Sequence, residues 1–177
     1  IVRGGLLYEA TKKTAVKASA GVESYDFGNT SPLGEDLNTD IFSYDIAASW
    51  QATEKILVEA MARNGIQPAA QYVSNTKEIT LASLGASYDI TKSWILSLAG
   101  SWRYDDYIGK IEDPDTGALQ SKHRRLYGGR LRLDYKPSAK FFDLYAETTY
   151  EDSNTNIQDD YGNYDQWRIT LGLALRY

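Results

Sequence analysis

The chain has 177 residues, a formal net charge of -5, 42% hydrophobic residues and no cysteine. An acidic chain offers a phosphate backbone no counter-charge, so nucleic acid is not an expected partner, and without a thiol there is neither a disulfide framework nor a thiolate site. No apolar run reaches the roughly 18 residues of a membrane-spanning helix, which leaves spanning strands open, because a barrel places its hydrophobic residues only at alternate positions.

In chain order, four segments repeat one arrangement. Tyr8-Glu-Ala-Thr-Lys-Lys-Thr leads into AVKASAGV, Trp50-Gln-Ala-Thr-Glu-Lys into ILVEAMA, Tyr88-Asp-Ile-Thr-Lys-Ser into WILSLAG, and Tyr135-Lys-Pro-Ser-Ala-Lys into FFDLYAE. Each has an aromatic, a short polar turn and then a new strand, and Tyr177 stands where a fifth copy would place its aromatic. A period of roughly 40 residues also suits propeller blades. Each unit here holds only two strands where a blade needs four, so an up-and-down barrel is the better fit. Between the copies lie GNTSPLGEDLNTD, NGIQPAAQYVSNTK, IGKIEDPDTGALQSK and SNTNIQDDYGNY, rich in turn-forming Asn, Asp, Gly and Pro. Short and long connectors therefore alternate, as in outer-membrane barrels with tight periplasmic turns and longer outer loops.

The strand faces sharpen this expectation. One phase reads Val16, Ala18, Ala20, Val22; Phe42, Tyr44, Ile46, Ala48, Trp50; Ala82, Leu84, Ala86, Tyr88; Trp94, Leu96, Leu98, Trp102; and Tyr127, Leu131, Leu133, Tyr135, with no charged residue within the spans. Arg or Lys facing lipid at mid-depth costs about 2–4 kcal/mol, so lipid exposure predicts that exclusion. The other phase carries the charge, with Lys17, Glu59, Arg63, Arg103, Arg130, Arg132, Asp134, Asp143, Glu147 and Arg168 among its members. Aromatics bracket the apolar phase, and Tyr8, Trp50, Tyr88, Trp94, Trp102, Tyr127, Tyr135, Tyr150, Trp167 and Tyr177 are the expected membrane-girdle residues. A soluble sandwich or small soluble barrel also alternates, but it turns its apolar face inward and has no need of aromatic rings at fixed height.

The last stretch, Trp167 to Tyr177, alternates strictly and ends on an aromatic. That ending resembles the C-terminal signal read by the barrel-assembly machinery of Gram-negative outer membranes, which makes that machinery, together with outer-membrane lipid and lipopolysaccharide, an expected partner. Counting back from this strand gives about nine strands, an odd number where bacterial single-chain barrels have an even one. The fold class expected is therefore all-β, a transmembrane antiparallel up-and-down barrel, with residues 1–177 as one domain forming the C-terminal part of a larger barrel.

Chemical motifs are scarce. His123 is the only histidine and stands beside Arg124 and Arg125, so neither a metal triad nor a Ser-His-Asp triad has material to build from. No catalytic, cofactor-binding or metal residue is expected. The acidic stretches Glu112–Gly117 and Asp152–Asp160 lack the EF-hand register and its terminal Glu. The candidate functional residues are those of the charged phase, with Arg103, Arg130, Arg132, Asp143, Glu147 and Arg168 as lumen-lining groups that bias what passes. A structural charge ladder is the competing reading. A simple hairpin register about Pro137-Ser138 puts Arg130 near Glu147 and Arg132 near Tyr145.

The runs EITLASLGASYDITKSWILSLAGSWRYDDYIG and LYGGRLRLDYKPSAKFFDLYAETTYEDSNTNIQDDYGNYDQWRITLGLALRY resemble the outer-membrane β-barrel porin family found near exopolysaccharide secretion genes. The likeness is one of hairpin style, in Gly-Ala-Ser-Tyr, Arg-Tyr-Asp-Asp-Tyr and a tyrosine-rich last loop. It implies an outer-membrane conduit for polysaccharide or small polar solutes, with a polysaccharide or a periplasmic export component as partner, and it carries over no site residue. An anchoring barrel that docks an envelope complex is the alternative, and an outer-membrane enzyme a more distant one.

Overall fold

Period-two patterning that runs for ten or more residues segregates two faces only if the segment is extended, and most of the described residues take that form. The computed structural model describes residues 2–11, 13–25, 39–67, 76–112, 117–137, 141–157 and 163–175. Among the described residues there are nine strands: β1 (Val2–Thr11), β2 (Thr14–Tyr25), β3 (Thr39–Gln51), β4 (Ile56–Gln67), β5 (Lys77–Asp89), β6 (Trp94–Glu112), β7 (Leu119–Tyr135), β8 (Phe142–Thr155) and β9 (Tyr164–Leu175). Each pairs antiparallel with its sequence neighbours in the order β1 to β9, an up-and-down meander. The sheet is not closed: among the described residues β1 and β9 each keep one edge without a ladder partner.

Register keeps the apolar phase together across the sheet. Leu6 lies opposite Ala18, Ala18 opposite Ile46, Ile46 opposite Ala62 and Ala62 opposite Ala82. The row continues in the same phase through Ala82 with Trp102, Leu98 with Leu131, Leu133 with Ala146, and Ala146 with Leu171. This phase is the solvent-accessible outer face: Val2 and Leu171 are 79% exposed, Leu98 62% and Trp167 70%. The most deeply buried side chains, Glu23, Ser43, Asp105 and Ser153, all belong to the charged phase. Side chains converge on the concave side of a curved sheet and splay on the convex side, so the charged phase is the inner face. Leu96, Leu133 and Leu171 therefore do not enter a dry interior. Of the buried hydrophobic residues among those described, Ile79, Leu126 and Ile157, the first two lie on the inner face, toward the long loops.

The short turns repeat a device that their sequence repeat encodes. Thr11 Oγ1 accepts from Lys13 N at 3.1 Å, Thr53 Oγ1 from Lys55 N and Ile56 N at 3.2 and 3.1 Å, and Thr91 Oγ1 from Ser93 N and Trp94 N at 3.2 Å each. The threonine of each of the first three copies thus satisfies turn amides that would otherwise need water. Neighbouring turns are tied by Gln51 N to Lys13 O at 2.7 Å, Asp89 N to Lys55 O at 2.8 Å and Lys136 N to Ser93 O at 2.7 Å, which makes an even rim.

Two expectations need correction. The β7–β8 hairpin closes with Tyr135 opposite Leu144, so Arg130 faces Thr149 and Arg132 faces Glu147, two residues off the register expected about Pro137-Ser138. A slip of two preserves the alternation, which therefore cannot reveal it. Pro137 has no N–H to extend the ladder inward, and residues 138–140 lie outside the described ones. The connection read as a loop at 108–122 is largely strand, since β6 continues to Glu112 and β7 starts at Leu119. Its register shifts between Asp106 and Lys110, where Gly109 takes a φ of 89°, a bulge conformation that favours glycine. Beyond the bilayer nothing requires alternation, so composition alone looks like loop.

Leu98 lies midway between Trp94 and Trp102. Replacing it by Arg should cost about 2–4 kcal/mol in urea unfolding in phospholipid vesicles. Met61→Arg, on the inner face, should cost much less, and equal costs would reject the assignment of faces.

Candidate functional site

With no catalytic constellation in the sequence, the functional surface has to be sought on the two faces and at the two ends of the wall. Among the described residues no group of His, Asp and Glu is arranged to hold a metal ion. The acidic stretches at 112–117 and 152–160 fall partly outside the described residues.

The expected girdle aromatics stand at two levels of the outer face. At the turn end Trp94 pairs with Tyr135, their ring centroids 4.6 Å apart, and Phe142 follows at 6.5 Å from Tyr135. Tyr8, Trp50 and Tyr88 lie on the same phase next to their turns and are exposed. At the loop end Trp102 is opposite Tyr127 and Tyr150 opposite Trp167, the latter rings 4.8 Å apart. Tyr177 lies outside the described residues. His123 is on the outer face past the loop-end aromatics, stacked on Tyr104 at 5.8 Å and with Nδ1 2.9 Å from Asp106 Oδ1. It therefore takes no part in the inner wall.

On the inner face a short motif recurs that sequence reading did not single out. Arg103-Tyr104-Asp105 and Arg132-Leu133-Asp134 are both Arg-x-Asp, and a spacing of two places both side chains on one face of one strand. Arg132 donates through Nε and Nη2 to Asp134 at 2.9 and 2.8 Å, a bidentate pair. It also reaches Glu147 at 3.5 Å and covers the Tyr145 ring at 4.1 Å. Gly172, opposite Tyr145, supplies the space for that ring: a Cβ built there would overlap it. Arg103 likewise binds Asp105 through Nε at 2.5 Å and Nη2 at 3.2 Å.

Asp105 is the centre of a larger cluster on the loop side of Trp102. It is fully buried, and it also accepts from Lys77 Nζ at 2.7 Å and Arg124 Nη2 at 2.9 Å. Ile79 and Asp105 are ladder partners, as are Asp105 and Arg124, while Leu126 faces Arg103 and Ser153. Burial works against the Asp105 charge, yet the hydrogen bonds from Arg103, Lys77 and Arg124 outweigh it and hold the carboxyl below its ordinary range. Burial pushes the Lys77 ammonium down, with Asp105 opposing. Lys77, Asp105 and Arg124 were not among the residues expected from sequence. The signal available was the Arg-x-Asp spacing in the inner phase; the cross-strand cations became visible only with the register.

The remaining expected lumen residues behave differently. Asp143 lies on the inner face opposite Ala174. Arg130 and Arg168 are exposed on either side of Thr149 and border an inner-wall cavity of about 410 Å³ with Ser83, Ser101, Gly128 and Gln166. Glu151, also at that cavity, accepts from the Tyr164 hydroxyl and from Gln166 Nε2.

Comparison with known proteins supports the fold. The chain is similar to a solved structure described as outer-membrane expressed OmpT of Vibrio cholerae, with a TM-score of 0.50 and 17% sequence identity over 97% of this chain. It spans 52% of that protein's length. No protein-family model and no curated protein matches the chain. The likeness establishes an outer-membrane-type barrel fold, while the resemblance to the porin family near exopolysaccharide secretion genes receives no matching model.

Asp105→Asn should destabilise the wall by about 3 kcal/mol or more in urea titration, because three cations lose their shared carboxylate in a buried setting. The folded-state pKa of Asp105 is depressed, so its stabilising contribution is present above the unfolded value of about 3.9 and is lost only as pH falls through the lower folded value. Carboxyl NMR should therefore place the Asp105 titration midpoint below the ordinary aspartate value, and a midpoint at or above that value would contradict the cluster.

Proposed function

We propose that this chain forms part of the wall of a Gram-negative outer-membrane β-barrel that conducts small polar solutes, with an exported polysaccharide as the larger candidate cargo. The observation that carries this reading is the two-sidedness of the sheet. Its outer face is apolar between two aromatic levels, and its inner face is charged, with exposed guanidinium groups at a polar cavity. A wall that only anchored a partner would not need exposed charges facing inward.

The unpaired edges of β1 and β9, and the strand count of nine, support a barrel completed by further strands. The coverage of about half of a longer barrel chain fits the same reading. Barrels of 16–18 strands leave an aqueous channel, whereas eight strands are filled by side chains. The anchoring alternative draws on the Arg132–Asp134–Glu147 set, in which the arginine's charge is fully compensated within the wall as in a structural ladder. We place the short turns on the periplasmic side, where an export component would dock, and the C-terminal strand as the segment read by the assembly machinery.

Full-length protein reconstituted in planar bilayers should give discrete conductance steps, reduced when an acidic polysaccharide is added. Absence of steps, together with co-purification of an envelope partner, would replace the conduit by the anchoring role. Within a conducting barrel, Arg130→Ala should lower the anion-to-cation permeability ratio more than Arg132→Ala, whose charge is already compensated by two carboxylates.

A further inference from the structure

The four arginines expected to line the lumen divide according to their partners. Arg103 is bound to Asp105, and Arg132 to Asp134 and Glu147. Arg130 and Arg168 are exposed, and neither makes a hydrogen bond or ion pair with any described residue. Their placement is ordered. Arg130 is the ladder partner of Thr149, and Thr149 that of Arg168, so one row holds a guanidinium on each side of a threonine. Two interstrand spacings separate their backbones by about 10 Å.

The residue across from Arg132 is Glu147, as expected of a wall built for cohesion. Across from Arg130 and from Arg168 it is instead the neutral Thr149. The carboxylates diagonal to the row are engaged elsewhere, Glu147 by Arg132 and Glu151 by Tyr164 and Gln166. Glu151's partners are neutral, so the charge lining the cavity, two guanidinium groups against one carboxylate, is net positive. The cavity floor is cut from small residues, and a Cβ at Gly128 would come within 2.5 Å of Ser101 Oγ, so glycine keeps it open.

We propose that the Arg130–Thr149–Arg168 row is a binding subsite for a hydroxylated carboxylate of monosaccharide size. Paired guanidinium forks match the geometry of a carboxylate. Ser101 and Gln166 offer hydroxyl and amide groups to the hydroxyls of such a ligand, and about 410 Å³ falls in the size range of small-molecule sites. The inference rests on the conduit reading for the ligand's route to the site, and its test does not depend on conductance.

The test is calorimetric titration of the full-length protein in detergent with D-glucuronate, and with D-glucose as the neutral counterpart. Glucuronate should bind saturably and glucose should not. Arg130→Gln and Arg168→Gln should each weaken glucuronate binding about 10-fold or more, as loss of a charge-assisted contact does. Arg130→Lys, which keeps the charge without the fork, should fall between, and Arg125→Gln, on the outer face, should bind as the parent does. Equal titration by glucose and glucuronate, or parental affinity in both glutamine variants, would overturn the subsite. Glucuronate binding by a barrel that shows no conductance steps would leave the subsite standing and remove the conduit; steps without glucuronate binding would do the reverse.

Discussion

Every strand of this chain has to meet two different surroundings, one on each face, and that constraint governs the rest of the architecture. Because side chains alternate with a period of two, a shift of one residue anywhere in a ladder would carry arginines such as Arg130 and Arg132 to the apolar side. The eight ladders respect this between the aromatic levels, where no register shift occurs. The two irregularities lie outside that band, one between Glu9 and Thr11 at a turn and one between Asp106 and Lys110 beyond Trp102. Bulges are accommodated where no lipid punishes a change of phase. The threonine-capped turns act in the same direction, since a turn that satisfies its own amides holds the register of the hairpin it closes.

The inner face answers a different problem, that of assembling many charges without mutual repulsion. It does so first within single strands, through Arg-x-Asp, and only then across them. Within the band the result is a modest set of contacts, each cross-strand pair contributing about 0.2–1 kcal/mol. Toward the loop end β6 and β7 project further, and the set becomes a packed cluster in which Asp105 gathers three cations beside Ile79 and Leu126. Those long strands extend past the membrane's support, and a buried, multiply bonded carboxylate supplies rigidity there.

That division of labour separates charges paired within the wall from charges left open at the cavity. All four arginines belong to the inner phase, but Arg103 and Arg132 are each followed two residues later by an aspartate that neutralises them on their own strand, which Arg130 and Arg168 lack. The latter two flank Thr149 at an open cavity. Function on a β-barrel resides in such local departures from the cohesive pattern, because the fold itself is shared by barrels of many kinds.

The sequence by itself determined the fold class, the number of strands, the apolar face and the aromatic levels, since all of these follow from a period-two pattern bounded by turn chemistry. It also held the Arg-x-Asp spacing, whose same-face consequence is local. It could not supply the pairing of Arg130 with Thr149, the extension of β6 to Glu112, or the convergence of Lys77 and Arg124 on Asp105. A two-residue slip leaves alternation unchanged, so the partner of any given charge is decided only when neighbouring strands settle their register.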